Sequence, residues 1–211
     1  MTNKITTKNK IVLASKKVFK LHGYKRATMN EIAKEAGINL SLFNYYFPRK
    51  QDIIIEVMGV FLNSIYYFAL LHSNKNPIIA YFATNYVYHD KLLNNSSNLR
   101  FYRDVMNRED KNDLSSYTNF NKVHISIIEF LNINTTYQEL MYKDVYIFGA
   151  KKELTNVYLD NIYDMSFSTL VDTIAENTCR VLDISDYIIH DSKNKSIEVI
   201  NKLKDIHFKL L

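Results

Sequence analysis

Residues 28–50 read TMNEIAKEAGINLSLFNYYFPRK, and this stretch decides the fold of the chain. Thr28 and Glu31 form a T-x-x-E capping box, in which each side chain pairs with the backbone of the other residue. The capping box predicts a helix over residues 29–35. Apolar residues recur there at helical spacing, so this short helix has one face to bury.

A second short helix is expected directly after a tight turn. Gly37 stands where the chain must turn, because glycine adopts a positive φ without steric cost. Asn39 is a good N-cap for a helix over residues 40–46, and Pro48 prevents that helix from continuing. Two short helices joined in this way predict a helix-turn-helix, the unit that places its second helix in the major groove of DNA.

Positions on both sides of this unit carry a family pattern over about the first quarter of the chain. In this region the chain resembles the N-terminal domain of the tetracycline-repressor (TetR) family. The positions that carry the resemblance are Ile11, Ala14, Phe19, Gly23, Tyr24, Thr28, Ile32, Ala33, Ala36, Gly37, Ile38, Phe43, Tyr45, Tyr46, Phe47 and Lys50. The resemblance implies a three-helix DNA-binding domain, which a long helix joins to a larger helical domain for ligand binding and dimerisation.

The predicted DNA-binding residues are Thr28, Asn39, Leu40, Ser41, Asn44, Tyr45, Tyr46 and Lys50. The resemblance implies phosphate contacts by the Tyr45 hydroxyl and the Lys50 ammonium, and Thr28 with its helix start can meet a further phosphate. Such contacts set the register of a protein on DNA rather than its sequence preference.

Base reading is expected from the exposed face of the second helix. Asn44 can pair with adenine and Leu40 can touch a thymine methyl group, with Ser41 beside them. The family usually has Gly at position 41 and Tyr at position 44, so these departures bear on the operator sequence. Asn39, where the family usually has Ser, is expected to cap the helix in preference to reading a base. Tyr46 is either a DNA contact or, like Phe47, a ring packed beneath the helix.

Composition favours an all-α protein. The chain has 211 residues, of which only 4 are Gly and 2 are Pro, too few for the many turns of a sandwich or barrel. The single cysteine, Cys179, excludes an intramolecular disulfide and a zinc site built on cysteines. The first residues, MTNKITTKNK, have no apolar core of a secretory signal, so we expect a cytoplasmic protein.

Charge is distributed unevenly along the chain. Residues 1–53 contain 11 Lys and Arg against 3 Asp and Glu, a net charge of +8, and the remaining 16 and 19 give −3. A basic N-terminal part followed by a slightly acidic remainder is typical of a protein that binds phosphates at one end. Lysine-rich termini are also common, so this asymmetry supports the helix-turn-helix prediction and does not replace it.

Residues 1–50 are predicted to form the DNA-binding domain, and residues 51–211 the effector-binding and dimerisation domain. A first helix is expected over residues 4–22, ended by Gly23. Residues 53–71 are the most apolar and are long enough to span a membrane. Glu56, Asn63 and Ser64 interrupt them, so we favour a buried connecting helix over a membrane span.

Further helices are predicted by apolar periodicity and capping signals. A loop is expected over residues 94–98 and a charged break over residues 107–113. Thr135 and Gln138 are expected to form a second capping box. The predicted helices cover residues 78–89, 99–106, 114–131, 137 to about 152 or beyond, 165–182 and 187–210, the last with a polar interruption at residues 190–195. In the resembled family such a final pair forms the homodimer, and the alternative is that the pair closes the core of the monomer.

The sequence contains no motif that is typical of a catalytic or metal-binding site. The six histidines are scattered without ligand spacing, and no Gly-rich phosphate loop or G-x-S-x-G elbow is present. We therefore expect neither an enzyme nor a metal or cofactor site. Aromatic residues of the larger domain are the candidates for an effector pocket. They are Tyr66, Tyr67, Phe82, Tyr86, Phe101, Phe120, Tyr142 and Tyr146. The alternative is that these rings are simply core, because an AT-rich genome would also encode many of them.

Together these features predict a dimeric repressor that a small organic ligand, flat or amphipathic, releases from a pseudo-palindromic operator of double-stranded DNA. Ligand binding would tilt the connecting helix and change the separation of the two recognition helices, roughly 34–36 Å. Lys50→Ala is predicted to weaken binding to all DNA and to lower its salt dependence, and Asn44→Ala to change base preference. The alternatives are a ligand-independent or activating regulator, and a helical module that binds a protein instead of DNA.

Overall fold

The computed structural model of the protein describes residues 6–106 and 118–211. All regular structure in these residues is α-helical, which confirms the all-α prediction. The helices are α1 (Thr7–Arg26), α2 (Met29–Glu35), α3 (Leu40–Tyr46), α4 (Lys50–His72), α5 (Pro77–Leu93), α6 (Ser96–Met106), α7 (Thr118–Leu131), α8 (Tyr137–Leu159), α9 (Phe167–Val181) and α10 (Asp186–Lys204).

The first helix runs further than predicted, but its backbone breaks at the expected glycine. Gly23 has φ 77° and ψ 164°, outside the helical region, while helical structure continues to Arg26. The backbone N–H of Ala27 donates to the carbonyl oxygen of Gly23 at 3.2 Å and closes the turn that leads to α2. The predicted break at Gly23 is therefore correct for the backbone geometry, and the predicted last helical residue, 22, is four residues short of Arg26.

Other predicted helix ends and caps also differ from the structure. Helix α5 continues to Leu93 instead of ending at residue 89, and side-chain caps explain the next two differences. The Asn95 side chain accepts from the N–H groups of Ser97 and Asn98, both at 3.1 Å, so α6 begins inside the predicted loop. The capping box of α8 is formed by Thr136 and Glu139, one residue after the predicted pair. Helix α10 continues unbroken through residues 190–195 and ends at Lys204 instead of residue 210. The predicted break at residues 107–113 and the helix start at residue 114 lie outside the described residues.

Helix α4 contains the apolar segment predicted to connect the domains. Within the described residues it is the one helix long and apolar enough to cross a membrane. Half of its apolar window is buried inside the protein, and Glu56 near its start pairs with Lys8 at 2.7 Å. A buried helix with an ion pair near its start is what the core of a globular protein provides.

The chain divides into two compact units that are not contiguous in sequence. The first comprises the described residues 6–61, 91–106 and 208–211, so α6 belongs with the helix-turn-helix. Phe101 of α6 stacks on Phe19 of α1 with ring centroids 5.3 Å apart, and Tyr24 meets both rings edge-on. Sequence spacing does not reveal this pairing. The contiguous division into residues 1–50 and 51–211 stays a prediction.

The second unit comprises the described residues 62–90 and 118–207. Its helices are joined by hydrogen bonds between side chains and to the backbone, as well as by apolar packing. The Tyr66 hydroxyl bonds to the Ser126 hydroxyl at 2.7 Å, which ties α4 to α7. Asn85 of α5 donates to the carbonyl oxygen of Val171 in α9 at 2.8 Å. These bonds fix the helices that carry most of the predicted pocket residues.

Candidate nucleic-acid interface

The turn between α2 and α3 has the geometry that its sequence predicts. The Glu31 N–H donates to the Thr28 hydroxyl at 3.2 Å, and the Thr28 N–H donates to the Glu31 carboxylate at 2.8 Å. Gly37 has φ 67°, and the Ile38 N–H reaches back to the carbonyl oxygen of Ala33 at 3.0 Å. These bonds use backbone groups that the two ends of α2 would otherwise leave unpaired. The angle at which α3 leaves the turn is thereby fixed.

Helix α3 has one packed face and one exposed face. Asn39 caps it, since the Asn39 side-chain oxygen accepts from the Leu42 N–H at 2.8 Å. Phe43 is fully buried and Phe47 is 3% exposed, so the predicted packing of Phe47 is confirmed. The side chains that lie exposed are Leu40, Ser41, Leu42, Asn44, Tyr45 and Tyr46. The predicted base readers therefore share one exposed helix surface.

Two rings extend this surface at the end of α3. Tyr45 is 79% exposed and meets Tyr46 edge-on, with ring centroids 5.2 Å apart. Tyr46 is 36% exposed, so it is less deeply packed than Phe47 and remains accessible. The two hydroxyl groups extend the polar part of the α3 surface, where phosphates would flank a groove.

Thr28 is less available to a phosphate than the sequence suggests. Its hydroxyl donates to the Glu31 carboxylate at 2.9 Å, and the same carboxylate accepts from the Thr28 N–H. These bonds lower the pKa of Glu31, which is therefore ionised at neutral pH. A carboxylate at the start of α2 opposes a second anion there. A phosphate contact by Thr28 stays a prediction.

Lys50 is placed differently from the phosphate contact that the resemblance implies. Its ammonium donates to the carbonyl oxygens of Tyr24 at 2.7 Å, Ala27 at 2.9 Å and Lys25 at 3.3 Å. The ammonium also lies 4.3 Å from the centroid of the Tyr24 ring. Partial burial lowers the pKa of Lys50, while Asp104 and Glu31 act in the opposite direction. The side chain points at the end of α1 and not at solvent.

Other positively charged side chains of the first unit are exposed, although they were not among the predicted DNA-binding residues. Lys25, Arg26 and Lys34 lie exposed on the helices that lead into and through the helix-turn-helix. Lys17 pairs with Glu35 at 2.9 Å across the surface. The charge asymmetry indicated such a surface, but charge counting does not show which cations point outward.

The predicted pocket residues that the structure describes differ widely in how deeply they are buried. Phe82 is buried and Tyr66 is 7% exposed, whereas Tyr67, Tyr142 and Tyr146 are each more than 60% exposed. Tyr86 packs edge-on against Phe167, and Phe101 lies in the aromatic cluster of the first unit. The side chain of Phe120 lies outside the described part of the chain. We therefore no longer expect Phe101 to line an effector pocket, because α1 already covers its ring.

A shallow groove between α8 and α9 has an empty volume of ≈ 230 Å³, which includes open solvent. Of the predicted residues that the structure describes, Tyr146 alone lines it, beside Lys151, Asn177 and Thr178. The Lys151 ammonium lies 4.6 Å from the centroid of the Tyr88 ring, and its burial lowers the pKa of Lys151 to about 7. A lysine side chain partly withdrawn from water beside a groove is a feature that the sequence did not indicate.

Buried polar groups of the second unit were also missed by sequence reasoning. His124 Nδ1 lies 2.5 Å from Asp144 Oδ1, and both side chains are almost fully buried. Within the described residues, Asp144 Oδ2, Asn85 Oδ1 and Thr84 Oγ1 are buried without a hydrogen-bond partner. Buried acceptors of this kind cost free energy until a donor reaches them. No group of three His, Cys, Asp or Glu side chains in the described residues is arranged to hold a metal ion.

Comparison with known proteins identifies the N-terminal part of the chain. Residues 11–57 match the family described as "Bacterial regulatory proteins, tetR family". The match spans α2 and α3 entirely, together with most of α1 and the start of α4. Comparison with curated protein sequences gives no match.

Solved structures share the fold of most of the chain. The crystal structure of RolR in complex with resorcinol has a TM-score of 0.57 and 12% identity, covering 89% of this chain and 92% of that chain. Thermus thermophilus FadR, a TetR-family transcriptional repressor in complex with lauroyl-CoA, has a TM-score of 0.57 and 16% identity. That alignment covers 83% of this chain and 92% of the FadR chain. At such identities the likeness concerns the fold alone.

Proposed function

The chain belongs to the tetR family of bacterial regulatory proteins and is a DNA-binding transcriptional regulator, and we propose that it is a repressor released from its operator by a small organic ligand. The family is a class of regulators without enzymatic activity. The observation that carries the proposal is the exposed face of α3, held between a capped start and the buried rings of Phe43 and Phe47. We place the protein in the cytoplasm, where operator DNA is found.

Specificity in this proposal comes from Leu40, Ser41 and Asn44, which α3 exposes together. An amide at position 44 can accept from and donate to adenine at once, a bidentate pairing worth about 1–3 kcal/mol of discrimination. Asn44→Ala is therefore expected to lose the preference for one base pair in each half-site. Tyr45→Phe removes only a hydroxyl group and is expected to weaken binding to all sequences alike.

A gel-shift experiment with DNA flanking the protein's own gene tests the function. Retarded bands that disappear with a cellular metabolite extract support a ligand-released repressor. Bands that ignore every extract favour the ligand-independent regulator, and a transcription assay on the same DNA separates repression from activation. The absence of bands at low salt, where the phosphate attraction is strongest, would contradict the DNA-binding role of this surface.

The effector is proposed to bind the second unit, and the buried acceptors there indicate its chemistry. Asp144 Oδ2, Asn85 Oδ1 and Thr84 Oγ1 would gain from a ligand that carries O–H or N–H donors. The similar folds of RolR and FadR hold resorcinol and lauroyl-CoA respectively, which supports an organic ligand without naming this one. Asp144→Asn is a direct test, because it replaces an acceptor oxygen by a donor and should weaken any such ligand.

A homodimer is proposed because two recognition helices can read a pseudo-palindrome together. The last two helices, predicted to form the interface, expose mainly polar side chains, with Tyr187 and Ile197 as exceptions on α10. Helix α8 exposes Tyr142, Val145 and Tyr146, three apolar side chains at helical spacing. We therefore propose that α8 contributes to the dimer interface beside the last two helices.

A further inference from the structure

We infer that Lys50 is a positioning residue for the recognition helix α3. It acts by binding the backbone of residues 23–28, the corner between α1 and α2, instead of contacting a DNA phosphate. The sequence pattern points to the opposite role, because a lysine just after a helix-turn-helix is well placed for DNA. The structure assigns the ammonium to the protein's own backbone.

The first argument is the number of donors. A lysine ammonium has three N–H groups and no acceptor. The carbonyl oxygens of Tyr24, Lys25 and Ala27 lie between 2.7 and 3.3 Å from Lys50 Nζ, one for each N–H group. A phosphate contact would require the ammonium to give up one of these bonds. It would also require the ammonium to leave the Tyr24 ring at 4.3 Å.

The second argument is where these carbonyl groups lie in the chain. Tyr24 and Lys25 belong to the end of α1, where carbonyl oxygens lack helical partners and carry the negative end of the helix dipole. Ala27 directly precedes Thr28, the N-cap of α2. One side chain at the start of α4 therefore binds both the end of α1 and the peptide from which α2 begins.

The third argument is that the same corner is held from α6. The Asp104 carboxylate accepts from the Lys25 N–H at 3.2 Å, and Arg100 donates to the carbonyl oxygen of Lys20 at 2.6 Å. A Cβ atom at Gly23 would lie only 3.0 Å from the Asp104 carboxylate, so the corner leaves little space. A corner bound from two helices has one orientation, and α2 passes that orientation to α3 through the fixed turn at Gly37.

The test compares Lys50→Met, which keeps the length but removes the donors, with Lys50→Gln, whose amide can still donate to carbonyl oxygens. Affinity for duplex DNA flanking the gene is measured across a salt titration, with Lys34→Ala as a control that removes one exposed charge. We expect Lys50→Met to lose about tenfold in affinity, Lys50→Gln to lose less, and both to keep the salt slope of the wild-type protein.

A phosphate contact gives a different result. The salt slope would fall below that of the wild-type protein by about 0.9 for each lost phosphate, or about 1.8 for two protomers on one operator. That outcome would overturn the inference, as would equal losses in Lys50→Met and Lys50→Gln, or no loss in Lys50→Met. Should Lys50→Met fail to fold, the slope of Lys50→Gln decides alone.

A measurement without DNA separates this inference from the proposed function. We expect Lys50→Met to melt at a lower temperature than Lys34→Ala, with Lys50→Gln between them, because the corner bonds exist in the unbound protein. A phosphate contact would leave all three melting temperatures together. Failure of the wild type to bind the DNA would concern the proposed function and would leave this comparison valid.

Discussion

Replacing Gly23 by alanine tests the corner at the end of α1 most directly. Gly23 has φ 77° and ψ 164°, a combination that only glycine adopts without strain. The added Cβ atom would stand 3.0 Å from Asp104 Oδ2 and 3.6 Å from Arg100 Nε. The substitution therefore strains the backbone and pushes on the carboxylate that accepts from the Lys25 N–H.

The magnitude follows from two contributions. The backbone conformation costs on the order of 1–3 kcal/mol for a residue with a Cβ atom. Displacing Asp104 weakens its hydrogen bond to Lys25, a loss of about 0.5–1.5 kcal/mol. The expected decrease in the free energy of unfolding is about 2–4 kcal/mol, and DNA affinity should fall with it because the corner orients α2.

Two other glycines of the chain provide matched controls in urea unfolding followed by circular dichroism. Gly37 has φ 67° but open space around a Cβ atom, so Gly37→Ala should cost about 1–2 kcal/mol from strain alone. Gly149 lies within α8 with no atom near a Cβ, so Gly149→Ala should gain about 0.5–1 kcal/mol. Equal m-values are needed for the comparison. A Gly23→Ala variant as stable as Gly37→Ala would refute the reasoning about the corner.

Three further predictions concern the cap, the buried lysine and the dimer. Asn39→Ala should lower the free energy of unfolding by about 1 kcal/mol, because the Leu42 N–H loses its acceptor. Asn39→Asp keeps an acceptor and should leave the free energy of unfolding unchanged. Thermal unfolding of both variants checks this. The pKa of Lys151 is about 7 in the folded protein against an ordinary value of 10.5, so the unfolded chain binds more protons between these values. Stability should therefore rise with pH from about 7 to 10.5, by at most about 1.4 kcal/mol per pH unit. Lys151→Met should abolish this rise in denaturant unfolding, and an unchanged rise would exclude Lys151 as its source. Val145→Glu should shift the protein from dimer to monomer, as measured by size-exclusion chromatography with light scattering, because it places a charge on the exposed apolar face of α8. Lys152→Glu should leave the dimer intact. A Val145→Glu variant that stays dimeric would contradict the proposal that α8 contributes to the interface.

Local signals predicted much of the helical structure because a cap acts over three or four residues. The bonds of Thr28 with Glu31 and of Asn39 with Leu42 join neighbours in sequence, so their residue types suffice to predict them. The same reasoning failed by one residue at α8, where two successive threonines each precede a suitable partner. There Glu139 accepts from both hydroxyl groups, and a carboxylate is the stronger acceptor.

Contacts between distant segments decided the roles that spacing could not. The carbonyl groups that bind Lys50 lie 23–26 residues earlier in the chain, and the His124 partner lies 20 residues later on another helix. A lysine or histidine in a sequence indicates a charge or a ring, and only its neighbours in space determine what that group can bind.

The sequence alone therefore determined the helical class, the helix-turn-helix and the exposed face of α3, since these depend on local hydrogen bonds and on the period of apolar residues. The tertiary structure decided that α6 packs with the DNA-binding helices and that the Lys50 ammonium holds the corner beneath α2. The physical reason is that packing and desolvation are properties of the surroundings of a side chain, and those surroundings come from distant parts of the chain.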